Sequence, residues 1–463
     1  MTTESLASGM DATKIGARFD RISVVTRKHW VILWTLGALG IFDAFDLAAF
    51  GYTAPAIRQD LGLSLGQVGW VASSVYIGSF LGALVGGRLA DRHGRRPVLF
   101  VSAVIYSLGS LATVFATSLE TLIACRVVTG LGAQALTLVS FLYLSEMFPA
   151  RLRGRFAALL LGISVLGAPL AAVLTWTIVP HGESHWRWIY GIGALGLLIA
   201  VTVRRLPESV RWQIRRGELG VAAATVVAFE DEALAKTGKP LPEPVELPRG
   251  GPEPATSVRE LLSGKNLERM AVLTISMIMF AYVIYGFNTW LTTLLVERGY
   301  SQQQALTAAV IISLAGFLGS VSAVAFADRI ERKKLVLAVM IVVAPLLLVF
   351  GLVDSLVVTV ITGSLLSGSL QIALATMYAY SPEIFPTHLR GLGAGVGGGA
   401  FRLSAAFTSI IVGFVLSGFG FTTVFVVFAA VAVAFGAVFA MFGERTKGRT
   451  LEDITADVRG GKR

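Results

Sequence analysis

Two stretches of this chain, GGRLADRHGRRPVLF (86–100) and VAFADRIERKKLVLA (324–338), decide how it is read. Asp91 and Arg92 of the first match Asp328 and Arg329 of the second, an offset of 237 residues. The same offset relates YLSEMFPARLRG (143–154) to YSPEIFPTHLRG (380–391). Two independent motifs repeated at one spacing make the chain a pair of related halves. Repeated halves with a site between them near the membrane midplane are a carrier architecture.

The surroundings of these motifs are strongly apolar. Of 463 residues, 54% are hydrophobic and 15% charged, against about 25% charged in a typical soluble domain. Twelve apolar runs approach or exceed the length that crosses about 30 Å of hydrocarbon as a helix. They lie near 30–57, 67–88, 97–118, 121–144, 156–179, 187–203, 270–296, 303–327, 335–353, 355–381, 392–417 and 419–442. Lipid offers no partner to an exposed backbone, so helices are the spanning structure these lengths allow. The expected fold class is therefore an all-α membrane protein of twelve transmembrane helices in two six-helix bundles. The single cysteine, Cys125, excludes an intramolecular disulfide framework and a Cys-based zinc site. The stretch before Trp30 has no apolar core, which argues against a cleavable signal peptide.

The net charge of +10 is a topology signal rather than a nucleic-acid one. With both termini inside, 34 of the 39 Lys and Arg fall in cytoplasmic segments. Only Arg58, Arg187 and Arg298 fall in external loops, which sets the orientation by the positive-inside rule. The chain then divides into a cytoplasmic N-terminus (1–29), a first bundle (30–203), a cytoplasmic linker (204–269), a second bundle (270–442) and a cytoplasmic C-terminus (443–463). The linker is Pro-rich in its middle (GKPLPEPVELPRGGPEP) and flexible by composition. Its flanks RWQIRRGELGVAAATVVAFEDEAL and VRELLSGKN are suited to short amphipathic surface helices.

The run GGRLADRHGRR (86–96) resembles the signature loop between helices 2 and 3 of the major facilitator superfamily. PESVRW (207–212), PEIFPTHLRG (382–391) and GERTKGRTLEDI (443–454) resemble its sugar-porter branch, shared with organic-ion transporters and synaptic-vesicle glycoproteins. FDAFDLAAFG (42–51) is instead similar to bacterial aromatic-acid/proton symporters, with Ala44 in place of a glycine. The combination resembles bacterial nicotinate transporters. A sugar-porter Gln-Gln pair is missing from helix 7, where Tyr282 and Val283 stand upstream of Gly286-Phe287-Asn288. The aromatic run FAYVIYGFNTW (280–290) suits a flat, apolar-faced substrate better than a sugar.

Four charged residues fall within the spans: Asp43, Asp46, Arg126 and Arg402. Such residues are costly in lipid and face a cavity or a partner, so each is a functional candidate. Asp46 lies roughly 16 Å and Arg126 roughly 9 Å from the outer ends of their helices, within bridging distance of an arginine side chain. The sugar-porter resemblance assigns the helix-1 aspartate, here Asp46, to proton coupling, and Arg126 matches its helix-4 arginine. The expectation is that Asp46 takes and releases the proton with Arg126 tuning it, burial and the nearby cation acting in opposite directions. A fixed ion pair between helices 1 and 4 is the competing reading. Asp43, one turn deeper, is open between proton site, substrate contact and cavity-lining group.

Arg402 sits near the midplane with no charged counterpart at the 237 offset, where Val165 stands. Its planar fork suits the carboxylate of an organic anion, or a pair with Asp43 across the halves. Phe42, Phe45, Tyr282, Tyr285, Trp290 and Tyr378 offer ring faces to complete the pocket, and Gln134, Asn288 and Gln371 offer hydrogen bonds. Each aromatic taken singly reads as ordinary helix packing before it reads as a ligand contact. At the inner surface Asp91, Arg92, Arg95, Glu146 and Arg153 are expected to form a gate network that locks the outward-facing state. Asp328, Arg329, Glu383 and Arg390 repeat it in the second half.

No nucleotide loop, nucleophile constellation or metal-ligand spacing appears, so an enzyme is not expected. GAGVGGG (393–399) opens a membrane helix rather than following a strand. The expected function is proton-coupled symport of a small aromatic or heteroaromatic carboxylate by alternating access, nicotinate first and benzoate-type acids next. Carriage of sugars, other organic ions or drugs is the alternative, and a non-transporting receptor of the same fold a third. The expected partners are an organic anion, protons and membrane lipids, with no cofactor, metal or nucleic acid. The expected setting is the inner membrane, as a monomer.

Overall fold

The structure, a computed structural model, describes residues 11–149, 151–244, 258–327 (backbone alone from 324), 330–386 and 388–445. Helix α1 (Ala12–Asp20) precedes the first bundle. That bundle comprises α2 (Arg27–Leu61), α3 (Leu65–His93), α4 (Arg95–Val114) and α5 (Leu119–Met147). It is completed by α6 (Arg153–Val165) continuing into α7 (Gly167–Ile178), and α8 (Trp186–Gly193) continuing into α9 (Gly196–Val203). Three short helices follow: α10 (Val210–Arg216), α11 (Leu219–Thr237) and α12 (Val258–Leu261). The second bundle is α13 (Gly264–Glu297), α14 (Gln302–Ala327), α15 (Arg332–Leu352), α16 (Leu356–Glu383) and α17 (Arg390–Phe442).

These form eleven continuous apolar stretches long enough to cross a membrane. The fifty-three-residue α17 supplies two crossings, because its helical backbone breaks at Gly420 (φ 80°, ψ 176°). That combination of angles is essentially confined to glycine. The chain therefore folds as twelve transmembrane helices.

The duplication seen in two motifs extends to the helices themselves. Helices α13 to α17 each begin 237 residues after α2 to α6. The caps repeat as well. Ser64 and Gln67 exchange backbone-to-side-chain hydrogen bonds of 2.8 and 3.2 Å at the start of α3. Ser301 and Gln304 do the same, at 2.9 and 3.2 Å, before α14. Each of these boxes satisfies N–H groups that a helix start leaves without partners. Gly62 and Gly299, at the same offset, both take the positive φ that lets the preceding helix end.

Within the first bundle, α3 and α5 meet backbone to backbone at Gly78, Gly82 and Gly130, where an added Cβ would run into the facing main chain. Small residues permit this approach where lipid provides no hydrophobic drive between helices. Between the bundles, hydrogen bonds and ion pairs gather away from the end that carries the basic connections. Ser73 donates to the Ala406 carbonyl (2.8 Å), Trp176 to Thr307 (3.0 Å), Thr292 to the Gly51 carbonyl, and Arg58 pairs with Glu297. Among the described residues, no hydrogen bond or ion pair joins the halves at the basic end. Among the described residues, the polar contacts between the halves thus lie towards the far end.

Two of the short helices bind the chain's beginning. Helix α1 buries Ile15 and Phe19, the latter edge-on to Phe229 of α11 at 5.6 Å. Arg18 and Arg21 both reach Glu230 of α11, at 2.5 and 2.7 Å. The nine-residue α1 was not visible as an apolar run, since its apolar face is only one side of a short helix.

Candidate transport site

Asp46 and Arg126 are brought together. Arg126 Nη1 donates to Asp46 Oδ2 at 2.6 Å, and Nη2 lies 3.4 Å from the Asp46 carbonyl. Both side chains are sealed, at 2% and 0% exposure. Ser110 of α4 donates to the other carboxylate oxygen at 2.8 Å, and its hydroxyl also lies 3.1 Å from the Tyr190 carbonyl. The Arg126 guanidinium faces the rings of Tyr190 and Phe50, at 5.3 and 5.9 Å. The pair is therefore held by two helices, α4 and α8, besides its own two, which leaves it little freedom while both groups are charged. The 237 offset carries Asp46, Ser110 and Arg126 to Val283, Leu347 and Gly363, so the second half has no copy of this site.

One turn deeper, Asp43 is half-buried and accepts a 2.6 Å hydrogen bond from Thr137 of α5. It lines a small cavity of ≈ 320 Å³ together with Asp46, Ser79, Thr129, Gln134 and Arg402. Arg402, from the first part of α17, is half-buried and donates to the Tyr285 hydroxyl at 3.1 Å. Among the described residues, no carboxylate lies within 4 Å of it. The cross-half Asp43–Arg402 ion pair is not formed here.

Beside this chamber, and sharing Leu47 with it, lies a cavity of ≈ 900 Å³ between the bundles. Its walls include Tyr52, Tyr76, Tyr285, Phe317 and Phe401, with Asn288, Thr289, Ser313, Ser367 and Gln371 as polar groups. Tyr76 and Tyr285 meet edge to face at 5.0 Å, and the Tyr76 hydroxyl lies 3.1 Å from Thr289. The Asn288 amide nitrogen bonds back to the Ile284 carbonyl at 2.9 Å. Tyr285, Asn288 and Gln371 thus line this cavity, while Gln134 lines the smaller one.

The other aromatic candidates are placed elsewhere. Phe45 is buried inside the first bundle against Gly193 and Gly167. The Phe42 carbonyl accepts from Tyr106 at 2.6 Å, and its side chain packs towards Gly196. Tyr282 packs edge-on to Phe428 (5.5 Å), and Trp290 is buried near Gly413. Tyr378, 44% exposed, meets the edge of Phe401 at 6.0 Å. The reason is helical: 3.6 residues per turn cannot aim 282, 285 and 290 at one face. Tyr76, Phe401, Ser110 and Thr137 were missed. A tyrosine in mid-span, as Tyr76 is, was the one available signal.

At the basic end, Arg95 is buried and binds Glu146 through two bonds of 2.8 Å, with Asp91 at 3.0 Å. Ser209 adds a 2.5 Å bond to Glu146 and Arg215 one of 3.5 Å. Glu208, from PESVRW, accepts from the N–H groups of Ser209 and Arg95 (both 2.8 Å) and of Arg96, closing the N-terminus of α4. Burial pushes its carboxyl above the usual range, with those N–H groups and the Arg95 charge opposing. Arg153 donates to the Phe148 carbonyl (2.9 Å), and Arg92 is exposed. In the second half Arg332 binds Glu383 at 3.2 Å, the pair that the offset matches to Arg95–Glu146. Arg390 opens α17. Asp328 and Arg329 lie outside the described residues. All these contacts stay within one half.

Twelve helices in two sets whose starts repeat at one offset, joined at the far end with a cavity between them, define a secondary transporter of the major facilitator type. The chain belongs to the family described as sugar (and other) transporter, which matches residues 23–458. It is 33% identical over 427 residues to the niacin transporter NiaP of Acinetobacter baylyi, covering 92% of this chain and 96% of that one. It is 30% identical over 440 residues to the putative metabolite transport protein YyaJ of Bacillus subtilis, with 94% and 96% covered. Among solved structures it is similar to a D-xylose-proton symporter, with a TM-score of 0.73 at 18% identity, covering 91% of this chain and 99% of that one.

Proposed function

We propose that this carrier moves a small aromatic or heteroaromatic carboxylate together with a proton, nicotinate being the first candidate and benzoate-type acids the next. The observation that carries the reading is Arg402: a guanidinium beside an aromatic-walled cavity, bonded to a phenol and, among the described residues, to no carboxylate. Its fork takes both oxygens of a substrate carboxylate, and Tyr285 already orients it. The faces of Tyr285, Phe401 and Tyr76 then receive a ring, and Gln371 offers a hydrogen bond to a ring heteroatom. Similarity to a niacin transporter supports the same choice.

The basic end faces the cytoplasm in this reading, as the distribution of Lys and Arg requires. In this reading the termini are inside and the carrier faces inward. Asp46 carries the proton. Deprotonated, it closes on Arg126 as observed; protonated, it loses most of its hold on the guanidinium, which frees α2 and α5 to shift. A tightly paired site in an inward-facing carrier is the state expected after proton release.

A panel of carboxylates, sugars and amines tested for thermal stabilisation of the purified protein checks the reading. Nicotinate or benzoate should raise the melting temperature, and Arg402→Ala should abolish that response with the protein still folded. A response to sugars alone would overturn it. The sugar alternative is kept because the cavity also presents Asn288, Thr289, Ser313, Ser367 and Gln371, a set able to bind hydroxyls.

A further inference from the structure

A threonine in a membrane helix usually returns its hydroxyl to the carbonyl one turn back. This chain follows that habit at Thr53 (to Ala49, 2.8 Å), Thr113 (to Gly109, 2.9 Å), Thr376 (to Ile372, 2.8 Å) and Thr408 (to Ser404, 2.8 Å). Thr129, two turns before Thr137 on the same helix, does so too, bonding the Cys125 carbonyl at 2.9 Å. Thr137 departs from it. Its hydroxyl is spent on Asp43 at 2.6 Å, across the gap between α5 and α2. Asp43 and Arg402 line one small chamber, yet they form no ion pair.

The chamber thus contains a carboxylate and a guanidinium that attract each other, with one of them tied back. We propose that Thr137 is a positioning residue for substrate selection: it holds the Asp43 carboxylate on α5 and so keeps Arg402 open to the carboxylate of the transported anion. This rests on the assignment of Arg402 to the anion. Without the tie, Asp43 becomes an internal competitor with no translational entropy to lose, and the effective concentration of such a competitor is high. Apparent affinity then falls by the fraction of time that Arg402 is left open. If Asp43 occupied it nine-tenths of the time, the apparent Kd would rise about tenfold.

Valine has nearly the shape of threonine and lacks the donor, so Thr137→Val removes the tie with little change of volume. Serine keeps the donor. Equilibrium binding of radiolabelled nicotinate and benzoate to the purified full chain is measured for the wild type, Thr137→Val, Thr137→Ser, Asp43→Asn and Thr137→Val/Asp43→Asn. The expected result is a Kd raised about tenfold in Thr137→Val. It should stay near the wild-type value in Thr137→Ser, and the effect of the valine should vanish when Asp43→Asn is already present. An unchanged Kd in Thr137→Val overturns the proposal. So does a valine penalty that persists at full size in the Asp43→Asn background, since Thr137 would then act on the packing alone. If the wild type binds neither acid, the assignment of Arg402 to an anion has failed instead, which the wild-type measurement reveals before any variant is read.

Discussion

A carboxylate and a guanidinium 2.6 Å apart and sealed from solvent stabilise each other only while both remain charged. Removing one partner of a buried pair costs about 3–5 kcal/mol, because the remaining charge has no compensation. Arg126→Met should therefore lower the melting temperature of the purified protein markedly, and Asp46→Asn/Arg126→Met should recover most of the loss. A single variant as stable as the wild type would mean that the pair does not close in the membrane. These charges were legible in the sequence because a charge in an apolar span has few innocent explanations. Ser110 and Thr137 were not. Serine and threonine are common in membrane helices, and sequence spacing does not reveal which hydroxyl turns away from its own backbone.

Elements were legible in proportion to their length. The long spans announced themselves by composition, and their starts agree with the structure to within a few residues, the largest gap being at α13, read from 270 and starting at Gly264. Helix α1 did not, since nine residues with a buried Ile15 and Phe19 form an apolar stripe only in the presence of α11. Its docking depends on one buried acid, Glu230, shared by Arg18 and Arg21. Hydrogen bonds to a charged group contribute about 1.5–3 kcal/mol each. Glu230→Ala should speed amide exchange in residues 12–20 by at least about tenfold while leaving the spans protected. Exchange at the wild-type rate would show that the remaining contacts of α1, the Asp20–Arg211 pair among them, hold it without Glu230. The neighbouring Glu232, which binds Lys28 of α2, gives a pH test of how α11 is held on the bundle. Burial pushes its carboxyl up, but hydrogen bonds from the Lys28 side chain and backbone outweigh that and hold it below its ordinary value of 4.5. Its contribution is thus present above pH 4.5 and is lost as the pH falls through the lowered value. Protection of α11 should decline in that acid range and not between pH 6 and pH 8.

The whole molecule is closed at the far end by two kinds of contact of different strength. The Arg58–Glu297 pair is about a third exposed on each side, and an exposed pair contributes about 0–1 kcal/mol. The glycine contacts are less forgiving. A Cβ at Gly69 would lie 2.8 Å from the Ser409 carbonyl oxygen, with the Ile410 main chain at 3.3 Å. Backbone cannot swing aside as a side chain can, so a larger residue there must wedge the halves apart. Impermeant maleimide applied from the far side to a Ser313→Cys reporter, with Cys125→Ser, should label it faster in Gly69→Val than in Arg58→Ala. Arg58→Ala itself should gain no more than about fivefold. The reverse order would mean that the ion pair governs closure. The repeat at offset 237 was legible at this scale from two motifs. At which end the polar contacts between the halves gather was not, since both states satisfy the same sequence.

The uneven placing of the buried charges also bears on how the chain is made. Asp46, Ser110 and Arg126 all come from the half that leaves the ribosome first, so this half can neutralise itself during synthesis. Val283, Leu347 and Gly363 stand at the matching places of the later half, which has no such debt to settle in lipid. Arg402 emerges more than a hundred residues after Tyr285, its hydrogen-bonding partner, so the phenol is in place before the cation arrives. The order of the residues along the chain thus serves as a schedule: Asp46 waits 80 residues for Arg126 within its own half, and Arg402 arrives after its phenol.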